Sequence, residues 1–189
     1  MGKVRNSISK IGYVNKIRDN ILDIRKKQLL PLYEELKSAN CVVCSGSGRS
    51  LYSLNAAMSQ VAMSQIGWRN KAVLTSDDPG FPGKDMYDAA AELERRYKKT
   101  LLLVASGSGL SEDPLVMAQD LARYIEEKKT SKFSMGLVTS NLASPLAKIV
   151  REHGHVVDLK GRGGSKPSFE YSKVGIMGDM FELGSLLLL

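Results

Sequence analysis

The sequence predicts an α/β protein whose five parallel strands form one doubly wound sheet with helices on both faces. Three observations predict it. Short apolar runs recur along the chain, and each is followed by a stretch with helical spacing. The runs are apolar throughout and not alternating, as in strands covered on both faces. The junctions that close them are dense in Ser, Gly, Asn and Pro.

Ile17, Ile21 and Ile24 recur at helical spacing, and Leu29, Leu32 and Leu36 continue the pattern past Pro31, where a kink is expected. Residues 41–44 form the first strand, closed by Ser45-Gly46-Ser47-Gly48. A helix is expected over 49–65, stopping at Gly67. Residues 72–75 are the second strand, followed by a turn-rich segment with Pro79 and Pro82 and a helix over 84–98. The third strand, 101–105, ends in Ser106-Gly107-Ser108-Gly109, and a helix over 112–128 follows. Residues 135–139 are the fourth strand. Ser140-Asn141 then lead to a helix with Pro145 near its start, a position proline favours. Residues 156–159 are the fifth strand. The Gly-, Lys- and Ser-rich stretch 160–172 reads as a mobile loop before a last helical piece. Right-handed crossovers make the doubly wound arrangement the default.

The 189 residues suffice for one well-buried core, and no domain linker is visible. The expected organisation is an N-terminal extension over 1–15 and a single domain over 16–189. With 43% hydrophobic and 25% charged residues the composition is that of an ordinary globular protein. The net charge of +7 comes from Lys and Arg spread through 3–37, 95–99 and 128–132 and mixed with Asp and Glu. That pattern is a solvated surface, and aromatic content of 6% leaves no stacking platform, so no nucleic-acid partner is expected. A polar start and a short final Leu run predict no signal peptide and no membrane partner. Cys41 and Cys44 form a C-x-x-C within a strand, where positions i and i+3 face opposite sides. They are expected to be structural thiols in a reducing cytoplasm.

Two Ser/Gly junctions carry nearly the same text, each between a buried strand and a helix start. Glycine permits a tight turn, while serine hydroxyls and free amides at a helix N-terminus converge as an anion site. One such loop is more often a simple cap. Two on the same edge point to a ligand. Neither ends in Gly-Lys-Ser/Thr, so a Walker loop is excluded. Leu51 stands where a dinucleotide fingerprint needs its third glycine.

The segment 45–50, the run 101–112 and the stretch 136–147 together resemble the sugar isomerase (SIS) domain family, over most of the chain from about Lys16. The first loop, Gly46-Ser47-Gly48-Arg49-Ser50, and the closing Gly178-Asp179-Met180-Phe181-Glu182 are similar to those of 6-phospho-3-hexuloisomerases. The resemblance implies a flavodoxin-like strand order and a homodimer or homotetramer. It also implies a phosphate held by Ser106, Ser108 and Ser111, with Ser47, Arg49 and Ser50 near the sugar. Leu110 stands where many members carry Glu or Arg, and residues 76–99 are longer than the usual connection.

Such an enzyme would shift a carbonyl through an enediol with a positioned base and oxyanion donors, needing no cofactor or metal. Glu182, between Phe181 and Leu183, is one candidate base; the alternative is a solvent stripe shared with Asp179 and Ser185. Glu112 is the other candidate, although a carboxylate there also complements the helix dipole. His153 and His155 are better explained by a helix end and a strand edge, and two Cys with two His lack zinc spacing. The rival expectations are a non-catalytic sugar-phosphate-binding module and a phosphoheptose isomerase. The latter fits less well, because the first loop has Gly48-Arg49-Ser50 where that group has Gly-Gly-Ser.

Overall fold

The computed structural model describes residues 30–64, 71–79 and 81–158. The expected entry helix is described only from Leu30 onward, and its earlier part, the stretch 160–172 and the last helical piece lie outside these residues.

Five strands form one parallel sheet: β1 (Cys41–Gly46), β2 (Ala72–Thr75), β3 (Thr100–Ala105), β4 (Phe133–Thr139) and β5 (Gly154–Asp158). Their spatial order is β2-β1-β3-β4-β5, the expected flavodoxin-like order. Every residue of β1, β3 and β4 is buried, which explains why these segments are apolar on both faces.

Helices cover both sides. On one face α1 (Leu30–Ser38) and α2 (Arg49–Ser64) place Leu32, Leu36, Leu51, Leu54 and Met58 against Val42, Cys44, Leu101 and Leu103. On the other, α3 (Met86–Arg96), α4 (Glu112–Lys128) and α5 (Pro145–His153) pack Leu93, Ala118, Leu121, Leu146 and Val150 against Cys41, Val43, Leu102 and Val104. Cys41 and Cys44 therefore belong to different cores and are both unpaired. Burial pushes both thiols up to about 12, which leaves them neutral and unreactive.

Helix starts follow local chemistry. Asp85 caps α3 by accepting from the Asp88 amide, so the helix begins two residues after the expected Lys84. Ser144 caps α5 by accepting from the Ala147 amide, with Pro145 next. Strands β3 and β4 begin earlier than their apolar runs, at Thr100 and Phe133, because sheet pairing continues past the apolar residues. β5 likewise begins at Gly154, ahead of the expected residue 156.

A polar tie at the amino ends of the strands fixes α1. The Glu35 carboxylate accepts from Ser134 Oγ at 2.8 Å and pairs with Lys99 Nζ at 2.8 Å. Burial acts to raise the pKa of this carboxyl, but hydrogen bonds from Lys99 and Ser134, with their charge environment, hold it below the ordinary 4.5. The Glu94 carboxyl is also held low, by hydrogen bonds from Thr130 and Tyr124. Lowered folded values mean a stability contribution that is present above the ordinary carboxylate range and lost as pH falls through the folded value. Urea midpoints should therefore drop on acidification below about pH 4.5, and drop less steeply in Glu35→Gln. An unchanged acid limb in that variant would remove Glu35 from the account.

Candidate functional site

β1 and β3 are neighbours and run parallel, with Ser45 opposite Val104 and Gly46 opposite Ala105. The two Ser/Gly turns that follow therefore leave the sheet at the same end, side by side. The helices they feed lie on opposite faces: α2 in one core, α4 in the other. The crevice at such a reversal of strand order is where open α/β sheets take ligands.

The two turns share one backbone device. Gly48 and Gly109 both adopt left-handed conformations, with φ of 52° and 64°. Each allows the chain to reverse directly into, or just ahead of, a helix. In the first turn Ser50 N–H donates to the Ser47 carbonyl and Tyr52 N–H to that of Gly48. Ser47 is exposed, Ser50 is half-buried, and Arg49 is the first residue of α2.

The second turn is more tightly built. Gly109 N–H donates to Ser106 Oγ at 3.1 Å and Leu110 N–H to Ser108 Oγ at 3.2 Å. Ser106 Oγ and Ser111 Oγ lie 3.3 Å apart. A hydroxyl that accepts from an amide keeps its own proton to donate. Three hydroxyls are thus gathered at one turn: Ser106 buried, Ser111 half-buried and Ser108 exposed. Ser111 is the N-cap of α4, yet its side chain makes no capping bond. Pro114 has no amide, so the open start of α4 offers the Glu112 and Asp113 amides to an anion.

The end of β4 braces this turn, a role the sequence did not disclose. The Gly107 carbonyl accepts from Ser140 N–H at 3.2 Å, Ser140 Oγ at 2.7 Å and Thr139 Oγ1 at 3.3 Å. Asn141 Nδ2 donates to the Ser108 carbonyl at 2.9 Å. Because the Gly107–Ser108 peptide is trans, holding its carbonyl toward β4 aims the Ser108 N–H the other way. The available signal was the string Thr139-Ser140-Asn141 directly after a buried strand.

Of the candidate bases, Glu112 is exposed on the first turn of α4, beside Asp113, and Glu182 lies outside the described residues. His153 ends α5 with Nε2 3.7 Å from Glu126 Oε1, and His155 lies on β5 opposite Gly136. Both histidines sit away from the turns, toward the amino ends of the strands. Among the described residues no three His, Cys, Asp or Glu are grouped to hold a metal ion. No described helix is long and apolar enough to cross a membrane.

The class defined by this fold and this rim is a doubly wound α/β domain with paired Ser/Gly turns at its topological switch. Solved structures share that architecture. The phosphoheptose isomerase from Neisseria gonorrhoeae superposes with a TM-score of 0.57 at 12% identity, over 97% of this chain and 96% of that one. The sugar isomerase domain of an RpiR transcription factor from Sphaerobacter thermophilus gives 0.55 at 15%, over 93% and 82%. A phosphoheptose isomerase from Francisella tularensis gives 0.52 at 13%, over 96% of each. At these identities the likeness is one of fold: the five-stranded α/β architecture is that of sugar isomerase domains. No family model and no curated relative matches the sequence.

The two glycines separate strain from crowding. A Cβ on Gly48 meets nothing within 4 Å, whereas one on Gly109 collides with the Ser144 side chain that caps α5. Gly48→Ala should cost about 1–2 kcal/mol of left-handed strain. Gly109→Ala should cost about 2–3 kcal/mol, because it also displaces a helix cap. Equal losses in urea denaturation would show that the Ser144 contact is not maintained.

Proposed function

We propose that this protein is a sugar-phosphate isomerase that clamps the phosphate on the Ser106–Ser111 turn and holds the sugar against the first turn. The observation that carries this reading is the pairing of two Ser/Gly turns on adjacent strands, one of which gathers three hydroxyls and is braced by the end of β4. Ser106, Ser108 and Ser111 with the first α4 amides bind the dianion. Ser47, Arg49 and Ser50 meet the sugar hydroxyls. Gripping a part of the substrate that does not react supplies orientation for the part that does.

The reaction is of the 6-phospho-3-hexuloisomerase type. A base removes the proton from the carbon next to the carbonyl, an enediol forms, and the proton returns one carbon along. Glu182, between Phe181 and Leu183 in the sequence, is the base in this reading, and Glu112 is the alternative. The sequence Gly48-Arg49-Ser50 favours a hexulose phosphate over a heptose phosphate. The site would be completed in a homodimer or homotetramer in the cytoplasm. A second reading, sugar-phosphate binding without turnover, is favoured by one observation: Glu112, the described candidate base, points into solvent.

Ser108→Ala should weaken binding of fructose 6-phosphate about ten-fold and of unphosphorylated fructose hardly at all, measured by calorimetry. Equal losses for both would contradict the clamp. Glu182→Gln should abolish interconversion of hexulose 6-phosphate and fructose 6-phosphate while leaving binding intact. Retained turnover would move the base elsewhere, and binding without turnover in the parent protein would favour the second reading.

A further inference from the structure

Ser45 lies near the end of β1 on the face that meets α3, α4 and α5, since Cys41 and Val43 point there and alternate residues of a strand share a face. It is fully buried, and a buried hydroxyl needs a partner. Its partner is a sulfur: Ser45 Oγ donates to Met117 Sδ of α4 at 3.2 Å. A thioether is a weak acceptor, so a small change at sulfur decides whether this hydroxyl is satisfied.

Met117 differs from the other methionines of the two cores. Met58, Met86 and Met135 are at most 1% exposed, whereas Met117 is half-buried and lines an open cleft beyond β2. The cleft holds about 330 Å³, and Asp77, Asp78, Lys84 and Asp85 make its border polar. Water and a small neutral oxidant such as hydrogen peroxide fit within it. The thiols offer little competition, because Cys41 and Cys44 are buried and held neutral while peroxide attacks thiolates.

Oxidation of the thioether needs only the peroxide. A sulfur lone pair forms a bond to one peroxide oxygen, the O–O bond breaks, and the other oxygen leaves as water with both protons. Sulfur loses two electrons to become the sulfoxide, and methionine sulfoxide reductases reverse the step. The product cannot keep the Ser45 contact. An oxygen on the Ser45 side would itself need about 2.7 Å to the hydroxyl, which with the S–O bond exceeds the 3.2 Å gap. An oxygen on the other side leaves an electron-poor sulfur facing the hydroxyl.

Gly46 carries that disturbance into the first turn. A Cβ there would lie 3.0 Å from the Ala105 carbonyl oxygen and 3.0 Å from the Leu51 amide nitrogen. The backbone at this point is wedged between β3 and the first turn of α2, so a shift of Ser45 presses on both. We propose that Met117 is an oxidation site, converted to the sulfoxide by hydrogen peroxide, and that its modification loosens the first Ser/Gly turn. A loss of ligand affinity rests in addition on the sugar-phosphate reading; the oxidation and the loosening do not.

The test treats the full chain and Met117→Leu, a volume-conserving change, with hydrogen peroxide. Peptide mass spectrometry locates the added oxygen, amide hydrogen exchange follows residues 46–52, and calorimetry follows fructose 6-phosphate. In the parent protein Met117 should gain oxygen about ten-fold faster than Met58, Met86 and Met135. Exchange over 46–52 should then quicken about ten-fold and affinity should fall by a similar factor. The same treatment of Met117→Leu should change neither. Met117 oxidised no faster than the buried methionines would overturn the site. Unchanged exchange in the oxidised parent, or an equal change in the variant, would overturn the link to the turn. Exchange that responds in a parent protein unable to bind fructose 6-phosphate would support the oxidation site and count against the sugar-phosphate reading alone.

Discussion

The adjacency of β1 and β3 is the constraint on which the rest depends. Had the strands been laid down in sequence order, β2 would separate the two Ser/Gly turns by a full strand width on each side, about 9–10 Å in all. The order β2-β1-β3-β4-β5 removes that spacer. It also sends the following helices to opposite faces, so neither α2 nor α4 closes the gap between the turns. The pairing of Ser45 with Val104 and Gly46 with Ala105 sets the two turns level. Two pieces of similar sequence some sixty positions apart thereby become two walls of one crevice.

Adjacency alone would give two flexible turns. What stiffens the second is the end of β4, which saturates the Gly107 carbonyl with three donors and holds the Ser108 carbonyl through Asn141. Peptide planarity converts that anchoring of carbonyls into an orientation of amides. Gly109 fits beside Ser144, whose hydroxyl caps α5, so the turn, the β4 junction and the next helix form one mechanical unit. Preorganised donors of this kind need no rearrangement when a charged group arrives.

Much of the fold was legible in the sequence, for definite physical reasons. Strands buried on both faces must be apolar throughout, so the apolar runs of β1 and β3 stood out, while half-buried β2 at the sheet edge was marked by its apolar run between turn signals. The helix expected from residue 112 and the one expected with Pro145 near its start both begin where the sequence placed them. The strand beginnings were less legible, because Thr100 and Ser134 are polar yet buried. For Ser134 the reason is a hydroxyl satisfied by Glu35, a partner 99 positions away in the chain. The hydroxyls of the second turn were readable from text alone. The brace from Thr139, Ser140 and Asn141 was not, since it exists only once β4 lies beside β3.

Charge distribution explains why the rim must work by geometry. The chain carries a net +7, and within the two turn segments 45–50 and 106–111 Arg49 is the one cationic residue. The first turn of α4 has Glu112 and Asp113, and the cleft has more carboxylates than cations. A dianion approaching this rim meets a mixed field, and long-range attraction falls off within about 8 Å at physiological salt. Binding then has to come from short, directed bonds to hydroxyls and backbone amides. These discriminate a tetrahedral phosphate from other anions by position as much as by charge. For the sugar phosphate proposed above, orientation would thus come from directed donors and not from net charge, a discrimination that a uniformly basic pocket would not supply.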